Sequence, residues 1–300
     1  MRNQLKTILL LGALSALLVA VGASLGPGFF WAFTGLALLM NLVGYFFSDR
    51  IVLRMHGARE LSPGEAPHLH RIVRELAGRA RIPTPRVFFI DDPHANAFAT
   101  GRSPQRGVVA VTRGIVELLD EPELRGVLAH ELAHIRNRDI LVASVAAGLA
   151  AALSSLANAL AFSNLLGGSQ EEGEGRGGGL LAVLVAPMAG MLVQLGISRS
   201  REFLADETGA RLSGEPLALA SALEKLQLGA EAVPLQGSPA TASLFIVNPF
   251  GAVARGLGAL FSTHPPAEER IRRLRALARS PGGAAPGWSD GSRSGLVRGW

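Results

Sequence analysis

His130-Glu131-Leu132-Ala133-His134 is the segment best equipped for chemistry. Positions i and i+4 share one helix face, so both imidazoles can reach one tetrahedral zinc ion. The glutamate between them leans toward the open metal position. There it can take a proton from an attacking water and pass it to a leaving amine. A catalytic zinc takes a third protein ligand. Glu202, in Ser198-Arg199-Ser200-Arg201-Glu202-Phe203-Leu204-Ala205-Asp206, is the candidate. Asp206 lies four residues on and shares its face, so it can fix the tautomer of a ligand imidazole. Asp139 has two readings of equal standing: a partner of a ligand histidine, or a boundary charge beside Arg136 and Arg138. Cysteine is absent, so any metal is held by histidine and carboxylate.

The elements that must position these groups are set by hydropathy. Of the 300 residues, 48% are hydrophobic and only 18% charged; a soluble domain carries about 25% charged residues. No charge falls between Lys6 and Asp49, between Ile140 and Gln170, or between Gly177 and Ser198. These runs predict four membrane spans, at 7–25, 29–48, 140–165 and 180–197, since each needs about 20 apolar residues. The alternative for the first run is a signal peptide cleaved at Val21-Gly22-Ala23. Arg2, Lys6, Arg50, Arg54, Arg59, Arg136, Arg138, Arg199 and Arg201 flank the spans on one side, which predicts that side to be cytoplasmic. The glycine- and glutamate-rich loop 167–179 then faces outward and is expected to be mobile.

The catalytic part is therefore split between 49–139 and 198–280, and its halves must meet. Helices are expected at 66–80, from Asp120 with a capping-box start, at 216–228 and at 266–279. Strands are expected at 86–90 and 108–112, with a third near 96–101. If the ligand helices run straight into spans three and four, His134 and Glu202 stand about 9 and 7.5 Å from the apolar runs. Both ligands then arrive at one height above the bilayer. Residues 281–300 read as a disordered tail. The arginines do not interleave with aromatics on one face, which argues against nucleic acid as a partner. The spans hold no charged residue, which argues against an ion-coupled transporter.

Taken together, His130–Asp139, Ser198–Asp206, Asn96-Ala97-Phe98-Ala99-Thr100-Gly101 and Ser262-Thr263-His264-Pro265-Pro266 resemble the HtpX family of bacterial membrane proteases, relatives of the CAAX prenyl proteases. The resemblance runs from the first span to about Leu277. It implies a gluzincin fold: α+β, mainly helical, with a small sheet, fused to about four transmembrane helices. It implies one zinc per chain and endopeptidase activity in membrane-protein quality control under stress. The setting it implies is the bacterial inner membrane, with a cytoplasmic active site and membrane-protein or unfolded polypeptide substrates. By position, His130, His134 and Glu202 would be the ligands and Glu131 the base. Asn96 would hold the substrate backbone, and His264 and Arg270 would act on the scissile carbonyl. The family often has Tyr where this chain has Phe203. Two other readings stay open: a CAAX-type processing protease, and a catalytically silent scaffold or chaperone. Glu131, retained between both histidines, argues against the second of these.

Overall fold

The computed structural model describes residues 2–146, 199–232, 246 and 265–280. The segments expected as spans three and four and as the outer loop, together with His264 and residues 281–300, fall outside these residues, except that 140–146 are helical. Two long helices open the chain, α1 (Arg2–Leu25) and α2 (Pro27–Met55). Gly26 separates them at φ 121°, a conformation that suits glycine, and Pro27 starts α2 where its missing N–H costs nothing. Among the described residues one helix, α2, is long and apolar enough to cross a membrane. Trp31, Leu38 and Leu39 stand well exposed on it.

α2 does not stop at the expected boundary of 48. It continues to Met55, and its last turns belong to the core of the folded unit that follows. Val52 and Leu53 pack with Phe88, Ile90, Phe98, Val108 and Ala110. Those residues form one face of a four-stranded sheet in the order β1-β2-β4-β3. The strands are β1 (Arg59–Glu60), β2 (Arg86–Ile90), β3 (Ala97–Thr100) and β4 (Val108–Thr112). β2 and β4 are parallel, and β1 and β3 run antiparallel on the two edges. The other face presents Val87, Ala97, Ala99, Val109 and Val111 to the main core. Side chains alternate across a strand, so each strand feeds both layers.

Under that second face lie α3 (Pro67–Ala80), the short α4 (Arg113–Leu118) and α5 (Glu121–Arg136). α3 buries Leu69, Ile72, Val73 and Leu76, the apolar stripe expected of it. Each such side chain, fully buried, stabilises the fold by about 1.5–3 kcal/mol. The C-terminal half supplies α6 (Arg199–Ser213), α7 (Pro216–Ala232) and α8 (Ala267–Arg279). α6 and α7 pack on α5, and α8 on α6 and α7, so the two halves of the split unit do meet.

α5 has a complete capping box. Asp120 Oδ1 accepts from Glu123 N (2.9 Å), and Glu123 Oε2 accepts from Asp120 N (3.0 Å). Glu123 also accepts from Ser221 Oγ (2.7 Å) and Lys225 Nζ (2.6 Å), which ties α5 to α7.

The expectation that α5 runs straight into span three is corrected. α5 ends at Arg136, and Arg138 takes a left-handed φ of 59°. Arg138 N donates to Ile135 O (3.1 Å) and Asp139 N to His134 O (3.0 Å), which closes the turn before the helix at 140–146. This reversal swings the Asp139 side chain back toward His134.

Candidate metal centre

His130 and His134 project from one face of α5, and Glu202 faces them from α6. His130 Nε2 and His134 Nε2 are 3.2 Å apart, and each lies 3.7 Å from one carboxylate oxygen of Glu202. Ligand atoms about 2.0–2.1 Å from a tetrahedral zinc lie roughly 3.3–3.4 Å from one another. The three side chains thus stand at metal-ligand separation, with the ligand atoms all within 4.8 Å of one another.

What sets that separation is close backbone contact. A Cβ on Gly209 would come within 2.7 Å of His130 N and 2.8 Å of His130 Cα. Gly209 is two turns beyond Glu202 on α6, on nearly the same face. Only a glycine there lets α6 approach α5 closely enough for Glu202 to reach both histidines. The HExxH pattern did not reveal this residue; its signal is a glycine inside an otherwise regular helix, which usually has a packing reason.

Each ligand histidine faces a carboxylate on its far side. His130 Nδ1 lies 2.9 Å from Asp206 Oδ1, and His134 Nδ1 lies 3.4 Å from Asp139 Oδ2. Asp139 thus lies beside His134, where the first of its two sequence readings needs it, and its other oxygen is 4.0 Å from an Arg201 nitrogen. A carboxylate at Nδ1 leaves Nε2 as the lone-pair nitrogen turned to the metal position. Asp206 is held in turn by Arg270, whose Nε donates to Oδ2 (2.8 Å) and one terminal nitrogen to Oδ1 (2.7 Å). The same terminal nitrogen lies 3.5 Å from His130 Nε2.

The other guanidinium nitrogen of Arg270 donates to Ile246 O (2.7 Å), and Ile246 N donates to Asn96 Oδ1 (3.3 Å). Asn96 is buried, and its main chain is clamped to Thr112 through N (2.8 Å) and O (2.9 Å). Asn96 and Arg270, expected at the substrate, are thus joined through the main chain of Ile246. His264 lies outside the described residues. Phe203 lies under Arg273, whose guanidinium is 3.7 Å from the ring centroid. Of the remaining histidines, His68 pairs with Glu121, His70 meets Leu61 O, His94 pairs with Asp92, and His56 is half-buried against Phe98.

Glu131 is buried, and its Oε2 accepts from Ala99 N (2.7 Å) on the edge strand β3. Burial pushes its carboxyl up to about 7, with Glu202 adding to the rise, while His134 and Ala99 oppose it. Burial holds His130 down at about 4 against the pull of Asp206. Asp206 stays at about 2, because Arg270 and His130 outweigh the cost of burying it. His134 is raised to about 9: burial lowers it, and Glu202, Asp139 and Glu131 together overcome that. The charge balance explains these directions. Four buried carboxylates, Glu131, Asp139, Glu202 and Asp206, surround the two histidines, against two buried guanidiniums, Arg201 and Arg270. A divalent cation seated among these carboxylates would take over the charge compensation that a protonated His134 and Glu131 provide without it.

With this geometry in view, the family model and the sequence relatives agree. The model of peptidase family M48 matches residues 63–278. The chain belongs to peptidase family M48, among its HtpX proteases. A protease HtpX homolog of Syntrophobacter fumaroxidans is 52% identical over 285 residues, covering 92% of this chain and 100% of that protein. One of Thermodesulfovibrio yellowstonii is 50% identical over 282 residues, covering 92% and 99%. The crystal structure of S. mikatae Ste24p aligns at a TM-score of 0.48 with 20% identity, over 91% of this chain and 65% of that one. The M48 match includes every described ligand and both carboxylate partners.

Proposed function

We propose that the chain is a zinc endopeptidase of the bacterial inner membrane that hydrolyses peptide bonds close to the cytoplasmic bilayer surface. The observation that carries this reading is the convergence of His130, His134 and Glu202 at zinc-ligand spacing, with Glu131 beside them. His130 Nε2, His134 Nε2 and a Glu202 oxygen would hold the ion, with Asp206 and Asp139 orienting the rings. When bound, zinc would supply Lewis acidity toward water and the scissile carbonyl.

The protein's own groups supply the proton transfers. Glu131 takes a proton from water as the oxygen attacks the carbonyl carbon. It returns that proton to the amide nitrogen as the C–N bond breaks, leaving a carboxylate and a free amine. Burial raises the Glu131 carboxyl and a bound dication would lower it, so the two effects oppose each other at the group that must accept and then donate the proton. β3 is the edge strand nearest Glu131, so an extended peptide laid along it would place its main chain against the base. Recognition through main-chain hydrogen bonds favours broad specificity and unfolded or membrane-extracted substrates, in keeping with quality control under stress. Arg270 acts in this reading by holding Asp206, and His264 remains the candidate for the developing oxyanion on the resemblance. Four spans remain the topology favoured by the hydropathy pattern, and α2 supports it with its length and exposed apolar surface.

The test is hydrolysis of a casein-type substrate by detergent-purified protein. Wild type should cleave, lose activity to a chelator and regain it with zinc, while Glu131→Gln should stay inactive throughout. Equal cleavage in all samples, or none in zinc-loaded wild type, would remove the protease reading in favour of a silent scaffold.

A further inference from the structure

Many exposed arginines of the catalytic unit are paired. Arg59 meets Glu65 (2.8 Å), Arg86 meets Glu60 (3.1 Å), Arg113 meets Asp91 (2.7 Å) and Arg211 meets Glu207 (2.5 Å). Arg50, Arg54, Arg102 and Arg106 have no carboxylate partner among the described residues, and neither do Arg74, Arg199 and Arg279; the first four are set apart by their place at the end of the apolar run and on the turn beside it. Arg50 and Arg54 lie on the last turns of α2, just past its apolar run. Arg102 and Arg106 belong to the turn that carries β3 into β4.

That turn is not near α2 in sequence, yet Arg102 on it reaches α2. The Arg102 guanidinium sits 5.5 Å from the Phe46 ring centroid, and that of Arg50 sits 5.6 Å from Phe47. Phe46 and Phe47 are 45% and 43% exposed at the end of the apolar run. Phe46 is one helical turn, about 6 Å, on the apolar side of Arg50. Aromatic rings topped by guanidiniums at such a level are the pattern of a membrane interface on its anionic side.

The turn is also stiff. Gly101 has φ 132°, and a Cβ there would strike the carbonyl of Arg106. Thr100 Oγ1 shares a hydrogen bond with Ser144 Oγ (2.7 Å), and Gly101 N donates to the same oxygen (3.3 Å). Ser144 belongs to the helix at 140–146 that leads into the third hydrophobic run. The end of β3 is therefore fastened at two points to elements aimed at the bilayer, and Ala99 on that strand binds Glu131.

We propose that Arg50, Arg54, Arg102 and Arg106 form a docking site for anionic phospholipid headgroups, which seats the β3–β4 turn on the bilayer and so couples leaflet charge to the strand beside the catalytic base. The occupant is fixed by charge complementarity: four cations that make no ion pair among the described residues, with Asp49 the one carboxylate on the same turns of α2, at the level where a cytoplasmic leaflet presents phosphates. The inference rests on α2 spanning the membrane, as read above.

The chain has no cysteine, so single labels can be introduced cleanly. Ser103→Cys reports on the turn, and its side chain makes no capping hydrogen bond. Leu38→Cys, 66% exposed on α2, reports on the span. Each fluorescently labelled full-length protein is reconstituted in phosphatidylcholine vesicles with and without phosphatidylglycerol. Quenching by headgroup nitroxide lipid should rise at position 103 with phosphatidylglycerol, fall again at high salt, and be lost in R50Q/R106Q. Peptide cleavage should rise severalfold with phosphatidylglycerol in wild type and not in R102Q/R106Q, with equal activity for both in detergent. Quenching of the Leu38 label by acyl-chain nitroxide should not depend on headgroup charge. If it is absent, the spanning reading itself fails. If it is present while position 103 and cleavage ignore lipid charge, the headgroup site is overturned. A response to an acidic soluble peptide and not to lipid would overturn it equally.

Discussion

The main-chain N–H of Ala99 donates to Glu131 Oε2 at 2.7 Å, so the edge strand and the Glu131 carboxylate meet directly. β3 is already at its full complement of partners on the β4 side, and its outer edge turns one donor to the carboxylate. On the proposed function, a substrate strand added to β3 would share one local frame with the base.

Glu131→Gln preserves an oxygen that accepts from Ala99 N, so the fold and the metal ligands should be unchanged. Proton transfer is lost, and kcat should fall by at least about 10²–10⁴-fold. Zinc content and thermal midpoint should match wild type, checked by metal analysis and melting in detergent alongside the kinetics.

Gly209→Ala inserts a methyl against His130 N and Cα. Relieving it must push α6 from α5. Overpacking of this kind costs about 1–3 kcal/mol, and zinc affinity should fall with it because Glu202 rides on α6. Gly78→Ala is the control, since nothing lies within 4 Å of a Cβ there. It should hold or raise the melting temperature by removing a helical glycine.

Arg270→Met strips the buried Asp206 of its counter-charge. Removing one partner of such a pair costs about 3–5 kcal/mol, visible as a large drop in melting temperature. Asp206→Asn should weaken zinc binding by about 10–100-fold, as loss of a carboxylate behind a ligand histidine does. Asp139→Asn should cost less, because its contact with His134 is 3.4 Å against 2.9 Å for Asp206 with His130. Competition with a chelator of known affinity ranks the three.

Glu123 gives a pH signature away from the metal. Burial alone would raise its carboxyl, but Lys225, Ser221 and the Asp120 N–H outweigh that and hold it below its ordinary value of 4.5. A carboxylate whose folded pKa is depressed contributes its full stability above the unfolded value and loses it as pH falls through the folded one. Wild type should therefore lose stability below about pH 4.5 more steeply than Glu123→Gln. At neutral pH the variant should be weaker by about 1–3 kcal/mol. Melting curves across this range decide it.

Local patterns made much of this legible. The i, i+4 histidines, the Asp120–Glu123 capping box and the apolar stripe of α3 are each written within a few residues. Glu202 was also readable, because its segment follows a long apolar run and carries Asp206 one turn on. What escaped depends on distant partners. β1 is two residues long, too short for any alternation to show. The turn at Arg138 puts an arginine, not a glycine, in the left-handed region, so the straight continuation of α5 was the natural expectation. Gly209 matters only because His130, far away in sequence, lies against it. Ile246 links Asn96 to Arg270 through its main chain, which no side-chain pattern announces.

Anomalous diffraction at the zinc edge, on crystals of the zinc-loaded protein, tests the central claim most directly. One peak per chain should appear, about 2.0–2.2 Å from His130 Nε2, His134 Nε2 and a Glu202 carboxylate oxygen, with Glu131 beside it and not bound. A peak elsewhere, or one ligated by the histidines while Glu202 turns away, would contradict the account.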